Sequence, residues 1–292
     1  MKHLHVISIL VLTISCGGTA QKKVGTSPKN AMKYQAKKVE SFSANDCLQT
    51  KVETKDPRAV VAILNACVAK KDWSKVNELA LYLRSLDERS PWGYYYSSVS
   101  SEANSNMPES FWFIQKALDR DTNNAMFQYQ LGRLLLLQGK EADAFVRFKE
   151  VLRLDPEHVE ANALVAKIYY NNKVYDQALK HYEIVLSDET SNEAYIACYV
   201  SAMQLNDYVK SLNYLRKIPR AQMTTDIRLD LAFLYEKTND LAGAVEVYED
   251  VLKQNKDKNT SFDSGQVSDK IKELRTQLRT IAAAKEEKEI SK

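Results

Sequence analysis

LGRLLLLQGKEADAFVRFKEVLRLDP, residues 131–156, sets two small residues, Gly132 and Ala144, among bulky apolar ones and closes on Asp155-Pro156. Its apolar residues recur at helical spacing, and a proline ends a helix by removing a backbone donor and clashing with the preceding turn. The stretch therefore reads as two helices that approach closely at Gly132 and Ala144. Leu131, Leu135, Phe148 and Val151 fill the space around that contact.

The same pattern recurs along the chain. Counting from Ala125 as position 1 places Leu131, Gly132, Leu135, Ala144, Phe148, Val151 and Pro156 at positions 7, 8, 11, 20, 24, 27 and 32. A copy from Val159 supplies Val165, Ala166, Tyr169, Ala178, Tyr182 and Val185, and one from Thr225 supplies Leu231, Ala232, Tyr235, Ala244, Tyr248 and Val251. The copy from Asn192 is more degenerate, with Tyr199 and Ser211 at the two small positions. Upstream, Pro91 opens a copy carrying Ser97, Ser98, Ser110 and Ala117, and Pro57 opens a weak one with Trp73 where later copies have Tyr175 and Tyr208.

This register resembles the tetratricopeptide repeat, whose period is about 34 residues. The resemblance implies an all-α fold, a right-handed α-solenoid of about six helix pairs over residues 57–258. Each hairpin alone leaves an apolar face exposed, so stability is a nearest-neighbour sum along the array and its ends need caps. Residues 259–292 read as a loop and a C-terminal capping helix, with Ile271, Leu274, Leu278 and Ile281 on one face ahead of the charged Glu286, Glu287, Lys288 and Glu289. Ser90-Pro91 reads as a helix cap with a first-turn proline, and Thr190-x-x-Glu193 has capping-box spacing.

The amino terminus carries a different signal. Residues 1–15 join Lys2 and His3 to an apolar run, Val6 to Ile14, too short to span a membrane as a helix. Leu12-Thr13-Ile14-Ser15-Cys16 resembles the lipobox of bacterial lipoproteins, which implies lipidation of Cys16; an ordinary export signal with a cysteine near its end is the alternative. Acyl chains contribute about 0.8 kcal/mol per buried methylene, enough for durable membrane attachment. Gly17, in place of Asp, favours the outer membrane by resemblance to lipoprotein sorting.

Residues 16–56 read as a tether. Between Gly17 and Val39 lie six lysines and no acidic residue in a Gly, Ser, Thr, Gln and Asn setting, either lying against anionic head groups or simply solvated. The rest of the mature chain holds 34 basic against 38 acidic residues. A mildly acidic, exported body is a poor fit for nucleic acid.

Chemistry finds little purchase. No Gly-rich phosphate loop, HExxH or G-x-S-x-G stretch occurs, and His158 and His181 are far from one-turn metal spacing. The expectation is no enzyme activity, no cofactor, no metal and no small-molecule substrate. Cys47, Cys67 and Cys198 are an odd number without a CxxC, which argues against a disulfide framework.

What remains is the concave surface, lined in the repeat family by helix A positions 2, 5, 9, 12 and 13. Those positions yield Trp92, Tyr95, Val99, Tyr129, Arg133, Leu136, Lys167, Tyr170, Ile196, Val200, Met203, Leu229 and Phe233. Trp92, Tyr95, Tyr129, Arg133, Lys167, Tyr170 and Phe233 are the expected peptide-binding groove, since aromatic and arginine side chains anchor partners well. Val200, Met203 and Leu229 compete for a place in the core. Val61 and Tyr129 at position 5 leave the family's carboxylate clamp incomplete. The layout resembles lipoproteins of type IV pili, gliding motility and outer-membrane barrel assembly. It implies a non-catalytic, periplasm-facing scaffold whose groove holds a protein or peptide. A peptidoglycan-associated adaptor for cell-wall enzymes is the rival reading.

Overall fold

The structure, a computed structural model, describes residues 47, 54–188, 191–254 and 263–290. The export signal, Cys16 and most of the tether lie outside the described residues. Among those described are thirteen α-helices and no strand. Six A helices of thirteen residues each, α1 (Pro57–Ala69), α3 (Pro91–Ala103), α5 (Ala125–Leu137), α7 (Val159–Asn171), α9 (Asn192–Gln204) and α11 (Thr225–Lys237), begin where the sequence register places position 1. Their partners are α2 (Trp73–Leu86), α4 (Met107–Leu118), α6 (Glu141–Leu154), α8 (Tyr175–Asp188), α10 (Tyr208–Leu215) and α12 (Leu241–Gln254), each beginning at position 17, and α13 (Ser264–Ile290) closes the chain.

Each A helix ends the same way. The second residue of the turn is left-handed in all six hairpins: Lys71, Ser105, Gly139, Lys173, Asn206 and Asn239, with φ between 58 and 74°. That conformation lets the last A-helix carbonyls find donors in the turn, as when Gly139 N donates to Leu136 O and Lys140 N to Leu135 O. The next helix then starts on a side-chain cap: Asp72 accepts from Lys75 N, Asn106 from Glu109 N, Asp207 from Lys210 N and Asp240 from Gly243 N.

Two expected caps differ. Ser90 holds the cap position of α3 without a side-chain cap bond, leaving Pro91 to set the first turn. At α9 the cap is Ser191, which accepts from Ala194 N at 3.3 Å, one residue beyond the expected Thr190, which itself lies outside the described residues.

The described chain divides into two compact units, residues up to 161 and residues from 162, with the division inside α7. In the first, Val60, Leu64, Val76, Leu79 and Leu83 form a core between α1 and α2, and Ile114, Phe127 and Leu134 form another around α4 and α5. Gly132 answers the packing question of its stretch with a correction. A Cβ there would lie 2.6 Å from Phe148 Cε1, so the space is taken by an aromatic ring and not by an opposing backbone. Where serines hold the small positions they bond across the hairpin: Ser110 Oγ donates to Ser98 O at 2.8 Å, and in the second unit Ser211 Oγ to Tyr199 O at 2.8 Å.

A disulfide joins Cys47 to Cys67, with Cα atoms 5.2 Å apart, which overturns the expectation drawn from the odd cysteine count. Cys67 faces inward from α1 and Cys47 is buried against the same core, while Tyr82 Oη donates to Thr54 O at 3.1 Å and holds the same leading segment. The third cysteine, Cys198, is free and buried, and burial pushes its thiol up to about 12. In the second unit Val267, Ile271 and Leu274 of α13 complete the core of α11 and α12, the expected cap. The helix starts four residues earlier than the sequence pattern suggests, and Ile281, expected on its buried face, is 42% exposed.

Candidate functional site

Four of the seven expected groove residues lie in the first unit and three in the second. In the first, Trp92 and Tyr95 are half-buried on α3 and rooted in the core: their rings sit 5.1 and 5.3 Å from Phe127, and 5.9 Å from each other. Trp92 and Tyr95 each pack against both cores of this unit, so most of their surface stabilises the repeat pair.

Beyond them the face turns polar. Arg133 Nη2 donates to Glu102 Oε1 at 2.7 Å, and Gln130 Nε2 donates to Glu102 Oε2 at 2.6 Å. The glutamate side chain is 12% exposed and the arginine 42%, so the carboxylate is the buried anchor and the guanidinium stays open to a partner. Burial raises the Tyr95 and Tyr129 phenols to about 12 against the opposing pull of Arg133. The Tyr129 ring lies 4.9 Å from His158, whose Nδ1 is 3.2 Å from Glu160 Oε2. The hydrogen bond from His158 holds the Glu160 carboxyl below the usual range.

Glu102, Gln130 and His158 are the members sequence reasoning missed. Glu102 had a signal, since it stands at position 12, one of the lining positions. Gln130 and His158 had none, because their roles depend on which repeat stacks beside them.

In the second unit Lys167 and Tyr170 are half-buried on α7, and Tyr170 meets Tyr175 edge-on at 5.8 Å. Phe233 meets Tyr208 edge-on at 5.9 Å, and Lys237 Nζ lies over both rings at 5.7 and 5.3 Å. Val200, Met203 and Leu229 pack against the core of this unit, the competing place open to them. One helical turn from Phe233, Asp230 accepts from Tyr199 Oη at 3.1 Å, and burial raises its carboxyl to about 6. His181 is spent structurally, bonded to Asn162 at 2.8 Å and stacked on Tyr169.

A cavity of about 450 Å³ opens between the turn at 220–222, α11 and α12. Met223, Leu231 and Val247 floor it, and Arg228 spans one side by donating to Asp250, Gln254 and the Arg220 carbonyl. Among the described residues no cluster of three metal-ligating side chains occurs, and no helix is long and apolar enough to cross a membrane.

Family models of the tetratricopeptide repeat match residues 135–197 and 225–258. These are tetratricopeptide repeats. No curated protein sequence matches the chain. Among solved structures, Pseudomonas aeruginosa PilF matches with a TM-score of 0.53 at 15% identity, over 76% of this chain and 97% of that one. The C-terminal part of a tetratricopeptide-repeat protein from Cytophaga hutchinsonii matches with a TM-score of 0.50 at 13% identity, over 67% and 79%. The Naa15/Naa10 assembly bound to HypK-THB matches with a TM-score of 0.51 at 14% identity, over 79% of this chain and 35% of that one. At these identities the likeness is one of fold. Arrays of tetratricopeptide repeats are scaffolds for protein interaction and are generally not catalytic.

Proposed function

We propose that this chain is a non-catalytic scaffold of the bacterial cell envelope, an outer-membrane lipoprotein anchored through Cys16 that faces the periplasm and holds another polypeptide for pilus or gliding-motility machinery. The observation that carries the binding half is the A-helix face of the first unit. There Glu102 fixes a half-exposed Arg133 one helical turn from Tyr129 on α5. A guanidinium already held by a carboxylate loses little further freedom on binding, which is what makes such residues anchors. The Cys47–Cys67 disulfide supports an address outside the cytoplasm, because such bonds persist in oxidising compartments.

Photo-crosslinking from Tyr129 and from Tyr170, followed by identification of the captured chain from solubilised membranes, tests the reading. A pilus or motility component lost on Arg133→Glu is expected. A barrel-assembly component, or a cell-wall hydrolase with co-sedimentation on purified sacculi, would replace it by one of the alternatives. Palmitate labelling abolished by Cys16→Ala is the expected outcome for the anchor.

A further inference from the structure

We infer that α13 is the interface of an antiparallel homodimer, formed by the part of the helix that runs past its own core. At 1.5 Å per residue the 27 residues of α13 extend roughly 40 Å, against roughly 21 Å for the fourteen of α12 on which it lies. Its packed stripe, Val267, Ile271, Leu274 and then the half-buried Leu278, continues in register to Ile281, which is exposed. Residues 279 to 289 are all exposed, although a helical segment of that length is marginal in water without a partner.

The charges say what the partner is. Beside the apolar stripe, with the same alternating spacing of three and four, runs a second stripe: Lys272, Arg275, Arg279, Ala282, Glu286 and Glu289. It is basic before Ala282 and acidic after it. In an antiparallel pair the same flank of each helix meets its counterpart. A two-fold axis near Ala282 therefore sets Arg279 against Glu286 of a second copy and Arg275 near the second Glu289. It also brings Ile281 toward its counterpart, and alanines 282 to 284 let the backbones approach. Within the chain, Lys272 reaches Asp269 and Arg275 reaches Glu249, while Arg279, Glu286 and Glu289 have no ion pair among the described residues. A surface complementary to itself through a two-fold axis is the requirement of an isologous dimer.

Equilibrium sedimentation of the purified full chain, from micromolar to submillimolar concentration, reads the association directly. A monomer–dimer equilibrium weakened by salt is expected. Arg279→Glu and Glu286→Arg should each weaken it about fivefold or more, since symmetry breaks every pair twice, and the double variant should restore it. Both substitutions are at exposed positions, so thermal melting of each of the three variants should match the parent and separate association from folding. A monomer at every concentration, including one that associates only with a different protein, overturns the inference. So does a dimer indifferent to the single reversals, or a double variant no tighter than the singles.

Discussion

Gly132 shows how one residue can serve a neighbour across a hairpin. Any side chain there enters the Phe148 ring, so Gly132→Ala is expected to destabilise by about 1 to 3 kcal/mol. Combining it with Phe148→Leu should cost less than the two single changes added together, as chemical denaturation of the four variants would show. Asp230 is the electrostatic counterpart. Its carboxyl is raised from 3.8 to about 6, so between those values the folded chain holds a proton that the unfolded chain has released. The stabilising contribution is therefore present at the acid end and is lost as pH rises through about 6. Asp230→Asn keeps an acceptor for Tyr199 and removes the buried charge. It should raise stability at pH 7.5 by on the order of 1 kcal/mol and leave it nearly unchanged at pH 4. Melting curves at the two values decide the matter.

At the scale of the element, the six left-handed turn residues are the common device, and only one of them is glycine. Lysine pays a steric cost for φ near 60° that glycine does not. Lys173→Gly is therefore expected to raise stability by about 0.5 to 1 kcal/mol. Gly139→Ala, at φ 74° with open space around it, should lower stability by a similar amount through strain alone. Denaturant midpoints check both. The shortened α10 is the element that departs from the pattern. Pro219 forces the chain out of helix, and a single turn at 220–222 takes over and lines the cavity beside Arg228.

For the molecule as a whole, no helix among the described residues precedes the first repeat, and the disulfide ties Cys47 onto that repeat's core. A bond closing a twenty-residue separation contributes about 3 kcal/mol in the chain-entropy account. Reduction of the intact protein, or Cys47→Ser, is expected to lower the melting temperature and to speed amide exchange in α1 ahead of α11. Cys198→Ser should leave exchange in α1 as it was. Equal exchange in α1 with and without reductant would leave the disulfide no capping role.

The sequence by itself determined the register: where the six repeats begin, which small residues stand across the regular hairpins, and that a last amphipathic helix follows the array. Those features follow from local spacing, since helix starts, caps and apolar stripes are set within one repeat. Tertiary structure alone decided that Trp92 and Tyr95 are rooted in two cores, and that Arg133 is held by Glu102 from thirty-one residues away. It also decided that Cys47 closes on Cys67 and that α13 outruns the surface it caps. Each of these depends on which repeat lies beside which and on how far two packed helices overlap, and a repeating pattern of residue types carries neither distance.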